Sequence, residues 1–404
     1  MLKNPGFQQA QQLLLEQVSA VGTEKTALSD CGGRVLACDL TASENIPPFD
    51  RSPYDGYAFR SADTVRAAEE SPVTLTVLEE VPAGSVPTKT VVEGTAVKIL
   101  TGAPIPQGAD AVCKYEDTEF NAETVTLFRF YKPGANIVVT GEDVCKGDVL
   151  AQKGDVIDGG IAGTLSSQGI DQPLVYKKLR VGIVSTGNEV VEADQPLLPG
   201  KIRNSNRHTL ETILRKNGFE PVYLGLAGDD VNAICALIEE GLASCDAVLS
   251  TGGVSVGDYD LTPDAMERAG VTMLFRGMDL KPGMACAYGV KEGKPVCGLS
   301  GNPASSVTNF YAVALPALRK MAGHRIPEYR EISVTLNDGF RKKSPMTRLL
   351  RGTLDLSDGT VRMSLPKDQG NVVLSSTIGC DVIAIVPAKS GPIEKDTMLK
   401  GFLL

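Results

Sequence analysis

The stretch "DAVLSTGGVSVGDYDLTPDAM", residues 246–266, decides the fold. It opens on a short apolar run, breaks at Gly252-Gly253, presents Asp258 and Asp260, and resumes at Thr262-Pro263. An apolar run ending in glycines, followed by a threonine cap and a first-turn proline, reads as strand, turn and helix. The same grammar appears on both sides. Upstream, "RVGIVST" (180–186) is an apolar strand leading into "STGNE" (185–189), and "SNRHTLETILRKNG" (205–218) is a helix closed by Gly218. "EPVYLGL" (220–226) is a further strand, and Val231, Ile234, Ile238 and Leu242 share one face of a following helix. Downstream, "KPVCGLS" (294–300) is a strand, and a helix runs from Pro303 to about Met321. Strands alternating with helices indicate a parallel, doubly wound α/β sheet.

The flanks have a different texture. Residues 1–43 predict a helix and a short strand, "GRVLACDL" (33–40). Residues 44–142 are rich in Pro, Gly, Val and Thr, with alternation in "SPVTLTVLEEV" (71–81) and "GTAVKIL" (94–100), and read as a small β-rich domain. Residues 144–176 predict a strand, a turn and a helix starting near Gly159. From about Arg325 the chain turns β again in "EISVTL", "LLRGTLDL" and "CDVIAIVPA", which predicts a C-terminal barrel or sandwich. The fold class is therefore α/β plus β, in several domains, as 404 residues require.

Composition narrows the chemistry. A net charge of −9 with no basic stripe argues against nucleic acid as a partner. No apolar run reaches the ~18 residues of a membrane span. The N-terminal "MLKNPGFQQAQQLLLEQVSAVG" lacks the zones of a signal peptide, so a soluble, cytoplasmic protein is expected. Nine cysteines are scattered singly without a CxxC pair, which predicts mostly buried free thiols rather than a zinc cage. With only His208 and His324, histidine triads and histidine-rich metal sites are nearly excluded. Carboxylates, lysine, arginine and backbone dipoles remain.

In open α/β sheets, ligands bind outside the carboxyl ends of the strands. Three glycine turns fall there: 185–189 with Thr186, Gly187 and Glu189; 250–260 with Gly252, Gly253 and Ser255; and "GLSGNPASS" (298–306) with Gly301, Asn302 and Pro303. Asn302 is positioned to cap the helix that Pro303 starts. One such turn is as readily plain strand-to-helix punctuation; three on one sheet edge point to a site for an anion such as phosphate or molybdate. Glu189, Asp229, Asp230, Asp258 and Asp260 lie beside these turns. Carboxylates alone would repel a phosphate, and a bound Mg²⁺ resolves the conflict by bridging the two. Asp229-Asp230 reads equally as a helix cap. Lys281, in "DLKPGM" (279–284), supplies a point charge for phosphate, although an isolated loop lysine is usually just solvated.

These turns in this order, with "FDRSPYDGYA" (49–58) and "LTGAPIPQGADAV" (100–112) upstream, resemble the molybdopterin molybdenumtransferase family, which includes the C-terminal domain of gephyrin. The resemblance implies four parts: a discontinuous domain of residues 1–44 and 144–176, an inserted β-rich domain (45–143), a molybdopterin-binding α/β domain (177–325) and a β-barrel (326–404). It implies insertion of molybdate into adenylylated molybdopterin, with Mg²⁺ as cofactor and release of AMP. It also implies a homodimer with a shared active site and an adenylyltransferase as a further partner. By motif position Asp55, Thr101, Asp143, Glu189, Asp229, Asp260, Lys281, Pro303 and Arg351 match family functional residues; with the readings of the loops themselves, Asp55, Glu189, Asp229 and Asp260 are the expected catalytic set, and Asp143, Asp258 and Asp260 the expected metal set. Thr101, Thr186, Gly187, Gly252, Gly253, Ser255, Lys281, Gly301, Asn302, Pro303 and Arg351 are the molybdopterin-binding set. The chain departs from the pattern at Tyr54, Met284, Ser300 and Asn371; Met284 stands where a second lysine is common, which bears on the choice between molybdate and tungstate. The alternatives are an adenylyltransferase, against which the some 250 residues outside the α/β domain count, a tungstate-inserting homologue, and a non-catalytic scaffold.

Overall fold

The computed structural model describes residues 2–255, 257, 260–357 and 359–404. The chain divides into two compact units: residues up to 38 with 153–159 and 172–404, and residues 39–152 with 160–171.

The first unit is built on a seven-stranded sheet. Its elements are β1 (Leu2–Lys3), α1 (Phe7–Gln17), β2 (Arg180–Thr186), α2 (Ser205–Lys216), β3 (Glu220–Ala227), α3 (Val231–Ser244), β4 (Ala247–Thr251), α4 (Thr262–Arg268), β5 (Thr272–Arg276), β6 (Ala287–Lys291) and β7 (Lys294–Leu299). The spatial order is β1-β5-β6-β7-β4-β2-β3. Strands β7, β4, β2 and β3 pair in parallel, as the alternating pattern predicts. Strand β6 runs antiparallel to both neighbours, so the sheet is mixed rather than purely parallel. The reversal is local: β6 and β7 are joined by Glu292-Gly293, both at positive φ, the conformation of a two-residue hairpin turn matched to strand twist.

After β7 the chain is helical from Pro303 to Met321, as α5 (Pro303–Asn309), a π-helical turn (Phe310–Ala314) and α6 (Leu315–Met321). The irregularity has a cause. Pro316 has no N–H for the Ala312 carbonyl four residues earlier, and the Gln11 side chain of α1 donates to that carbonyl instead, at 2.9 Å. Helix α1 buries Phe7, Ala10, Gln11 and Leu14, spaced three or four residues apart, against this segment. Full burial of side chains such as Phe7 and Leu14 contributes about 1.5–3 kcal/mol each. "GRVLACDL" forms isolated bridges, Val35 to Val156 and Leu36 to Val175, and only its last residue enters a strand, Leu40–Thr41.

The C-terminal β segments, left open between barrel and sandwich, form a closed five-stranded barrel. Strands β8 (Glu331–Leu336), β9 (Thr347–Asp355), β10 (Arg362–Ser364), β11 (Val382–Val386) and β12 (Met398–Leu403) follow the order β9-β10-β8-β12-β11, and β11 pairs back onto β9. One apolar cluster runs through the sheet, α1 and the α5–α6 segment into barrel residues Leu349, Ile383 and Phe402. Sheet and barrel thus share a core.

The second unit carries a six-stranded sheet ordered 111–114, 56–59, 95–99, 73–81, 124–127, 118–120. Alternation along the strand Gly56–Phe59 sends Tyr57 and Phe59 into one apolar cluster and Ala58 into another. Gly56 has no substitute in this strand: a Cβ there would lie 1.7 Å from the Cys113 carbonyl oxygen. The helix Gly159–Ser167 begins at the predicted residue. All nine cysteines are free; five are buried, while Cys38 and Cys145 are exposed, more than the apolar setting of the cysteines suggests. No helix among the described residues is long and apolar enough to cross a membrane.

Candidate anion-binding cleft

Strands β2, β4 and β7 end level with one another: Ser185 pairs with Thr251, and Thr251 with Leu299. The three glycine turns therefore leave the sheet side by side, and together with the start of α2 they line one open cleft of about 820 Å³. Close approach explains the glycines. Gly252 has φ +98°, and a Cβ on it would lie 2.6 Å from the Thr186 hydroxyl; a Cβ on Gly301 would lie 3.4 Å from the Cα of Gly252. The turns are cross-linked as well. Thr186 Oγ1 donates to the Thr251 carbonyl at 3.1 Å, Thr262 Oγ1 to the Gly252 carbonyl at 2.9 Å, and Asn206 Nδ2 to the Gly301 carbonyl at 2.9 Å.

Asp260 binds its own loop. Its two carboxylate oxygens accept the Ser255 N–H at 2.8 Å and the Gly257 N–H at 2.7 Å. Arg276 grips the same residue from its other side, donating Nη2 to the Ser255 carbonyl at 2.8 Å. Glu189 lines the cleft with an exposed side chain, and Asp229 lines it half-buried. The Asp229–Asp230 ambiguity divides: Asp230 caps α3 by accepting the Asn232 N–H, while Asp229 faces the cleft. Thr262 and Asn302 are near helix starts, yet neither side chain caps; Thr262 is spent on Gly252, and Asn302, at the N-cap of α5, makes no side-chain cap bond.

The cleft thus gathers Glu189, Asp229, Asp260, Thr186, Gly187, Gly252, Gly253, Ser255, Gly301, Asn302 and Pro303. Asp258 lies outside the described residues. Lys281 is exposed on a two-residue strand that pairs with β9 of the barrel, not on the cleft lining. Arg351, on β9, is 0% exposed. Asp55, Thr101 and Asp143 belong to the second unit. There Asp55 Oδ1 accepts both the N–H and the hydroxyl of Thr101 at 2.7 Å, bonds that hold its exposed carboxyl below the usual range. Asp143 is exposed, its N–H donated to the Ile46 carbonyl.

Sequence reasoning missed the α2 side of the cleft. Arg203, Asn204, Ser205 and Asn206 all line it. Asn204 is buried at the N-cap of α2 and also donates to Ser185 Oγ at 3.0 Å and to Glu192 Oε1 at 3.2 Å. Burial disfavours the charged Glu192, but bonds from Tyr223, Asn204 and Arg207 outweigh it and hold its carboxyl low. The signal was available: an Asn directly before "SNRHTL" is a cap in the making.

Among the described residues, no three or more His, Cys, Asp or Glu side chains converge to hold a metal on their own. Backbone N–H groups, hydroxyls and separate carboxylates are what the cleft offers: a surface for an anion, with oxygen donors for a cation shared with it.

Two family models match the chain. One, described as the MoeA N-terminal region (domain I and II), covers residues 6–169; the other, described as a probable molybdopterin binding domain, covers residues 182–320. Relatives called molybdopterin molybdenumtransferase include one from Bacillus subtilis, 37% identical over 83% of this chain and 79% of the relative. Another, from Staphylococcus aureus, is 35% identical over 94% of this chain and 92% of the relative. A crystal structure of a molybdopterin biosynthesis moeA protein from Pyrococcus horikosii superposes with a TM-score of 0.85 at 30% identity, covering 99% of both chains.

Proposed function

The chain belongs to the molybdopterin molybdenumtransferase family, a family of transferases, and from that premise we propose that it inserts molybdenum from molybdate into adenylylated molybdopterin, with Mg²⁺ as cofactor and release of AMP. The observation that carries this reading is the cleft, where three glycine turns and three carboxylates share one sheet edge. An anion-friendly backbone surface lined with acids is self-defeating without a divalent cation. Mg²⁺ suits it because that ion is usually held by one or two carboxylates together with substrate phosphates, not by an all-protein cage. Glu189, Asp229 and Asp260 are the acids that would hold it. Bound there, Mg²⁺ would neutralise phosphate charge in the pyrophosphate linkage.

The protein's own groups hold and orient. Gly252 and Gly301 allow a phosphate to approach the backbone, and the cross-links through Thr186, Thr262 and Asn206 keep the turns in one geometry before substrate arrives. Molybdate is a substrate, delivered to the dithiolene sulfurs of the pterin while AMP departs.

The reading includes a homodimer whose active site takes Asp55 from the second copy. Rigid pairing of Asp55 with Thr101 supports this, because it presents an ionised, pre-oriented carboxylate at an exposed position. Purified protein given adenylylated molybdopterin, Mg²⁺ and micromolar molybdate is expected to release AMP and form active cofactor. AMP release that ignores molybdate, or no release, refutes the assignment. Mixing the variants Asp55→Ala and Asp260→Ala, each expected to be essentially inactive alone, tests the shared site. Random exchange of subunits restores about a quarter of wild-type activity, since half of the dimers then hold one intact site in two. No recovery after confirmed exchange removes the shared site.

A further inference from the structure

Among the described residues, Arg351 is the largest fully buried side chain. A buried guanidinium is costly unless paired, and among the described residues it has no carboxylate in an ion pair. Its Nη1 has no hydrogen-bond partner among the described residues. The bonds it does make all go to one segment, 369–376. Nε donates to Ser376 Oγ at 3.0 Å, and Nη2 to the Gly370 carbonyl at 3.2 Å. Gln369 closes a two-way clamp on the Arg351 backbone, accepting its N–H at 3.1 Å and donating to its carbonyl at 2.6 Å.

That segment reaches the cleft at two points. Val372 lines it. The Asn371 carbonyl accepts the Ala304 N–H at 3.1 Å. Ala304 is in the first turn of α5, its N–H has no intrahelical acceptor, and the residue is fully buried, so an outside carbonyl is required. With no side-chain cap from Asn302 and no N–H on Pro303, this bond is what ties the start of α5, and the Gly301–Pro303 turn before it, to the barrel.

We propose that Arg351 is a positioning residue: from strand β9, on the barrel face that shares the sheet's core, it sets the 369–376 segment, whose Asn371 carbonyl and Val372 side chain fix one wall of the anion cleft. The effect on turnover rests on the function proposed above; the effect on the wall does not. A buried charge with an unmet donor is a cost to stability that a purely structural barrel position would shed for an apolar residue. Here its side chain makes two directed bonds into a loop that an apolar residue could not orient.

The test is amide hydrogen exchange on the full chain together with steady-state kinetics, for Arg351→Met, Arg351→Lys and Ser376→Ala. Arg351→Met is expected to speed exchange about tenfold or more in peptides spanning 302–306 and 369–376, as loss of charge-assisted bonds implies, while peptides from the 187–192 turn stay as in wild type. KM for the adenylylated substrate is expected to rise more than kcat falls, and Arg351→Lys to fall between Met and wild type. Exchange unchanged at 302–306 overturns the proposal, as does a loss of kcat with KM and exchange intact, which is the mark of a direct contact. If Arg351→Met does not fold, Ser376→Ala decides: faster exchange at 302–306 supports the relay and wild-type exchange overturns it. A wild-type chain that releases no AMP refutes the proposed function, and the exchange result still judges Arg351.

Discussion

Replacing Asp260 separates loop order from fold stability. Its carboxylate accepts two backbone N–H bonds, from Ser255 at 2.8 Å and Gly257 at 2.7 Å. Bonds to a charged acceptor are worth about 1.5–3 kcal/mol each when nothing replaces them. Ser255 and Gly257 are both exposed, so water takes up the freed N–H groups in Asp260→Ala. The net cost to global stability is then about 1 kcal/mol or less, a shift of only a degree or two in Tm for a chain of this size. The loop itself loses its staple. If about 2–3 kcal/mol of ordering is lost, the productive conformation becomes some 30- to 150-fold rarer. Together with the loss of a carboxylate at the cleft, kcat/KM for AMP release is expected to fall by about 100-fold or more. Asp260→Asn keeps one acceptor oxygen but turns an NH₂ toward the other N–H, so it loses roughly tenfold through the loop alone. The assay pairs a thermal melt with AMP release at saturating Mg²⁺. A kcat/KM for Asp260→Ala within about threefold of wild type, or a melt lowered by about 10 °C, refutes this reasoning. Asn as damaging as Ala would show that charge at the cleft outweighs the staple.

Gly252→Ala places a Cβ 2.6 Å from Thr186 Oγ1 at φ +98°, which costs about 1–3 kcal/mol in backbone strain alone; a lower melting temperature and loss of turnover are expected, and a neutral result contradicts the close approach of the two turns. Met284→Lys adds a charge at a side chain 54% exposed, next to cleft-lining Ala285, so KM for molybdate is expected to fall about threefold or more at low salt with Tm unchanged; an unchanged KM places residue 284 out of reach of the oxyanion. His324 is pushed down to about 4 by burial, with Arg319 adding to the effect. The folded state therefore binds fewer protons than the unfolded one between pH 6.5 and 4, and stability falls as pH drops through that window. Denaturant midpoints measured from pH 7.5 to 4 are expected to show this fall lessened in His324→Gln; an identical slope removes His324 as its source.

Much of the site was legible in local sequence because its logic is local. A strand, a glycine turn and a proline-led helix need only neighbouring residues, so "STGNE", "STGGVSVGDYD" and "GNPASS" announced the turns, and Glu189 and Asp260 came with them. The α2 wall was not legible in the same way, since Asn204 and Asn206 act by bonding to Ser185 and Gly301, far away in the chain. The antiparallel β6 was lost to the regular strand–helix rhythm, because only Glu292 and Gly293 mark the reversal.

Sequence by itself determined the classes of structure, the sheet edge where the turns meet, and the carboxylate chemistry left open by two histidines and scattered cysteines. Periodicity and turn chemistry are properties of adjacent residues, so those conclusions need no coordinates. Only the tertiary structure decided which groups share a cleft and which act from a distance. Arg351 is one arginine among many in the sequence, and Asp260 one aspartate. Packing alone makes the first a buried cation gripping a loop and the second a staple across exposed backbone. The reason is that burial and long-range hydrogen bonds depend on residues brought together by the fold, such as Asn371 and Ala304, which no spacing in the chain relates.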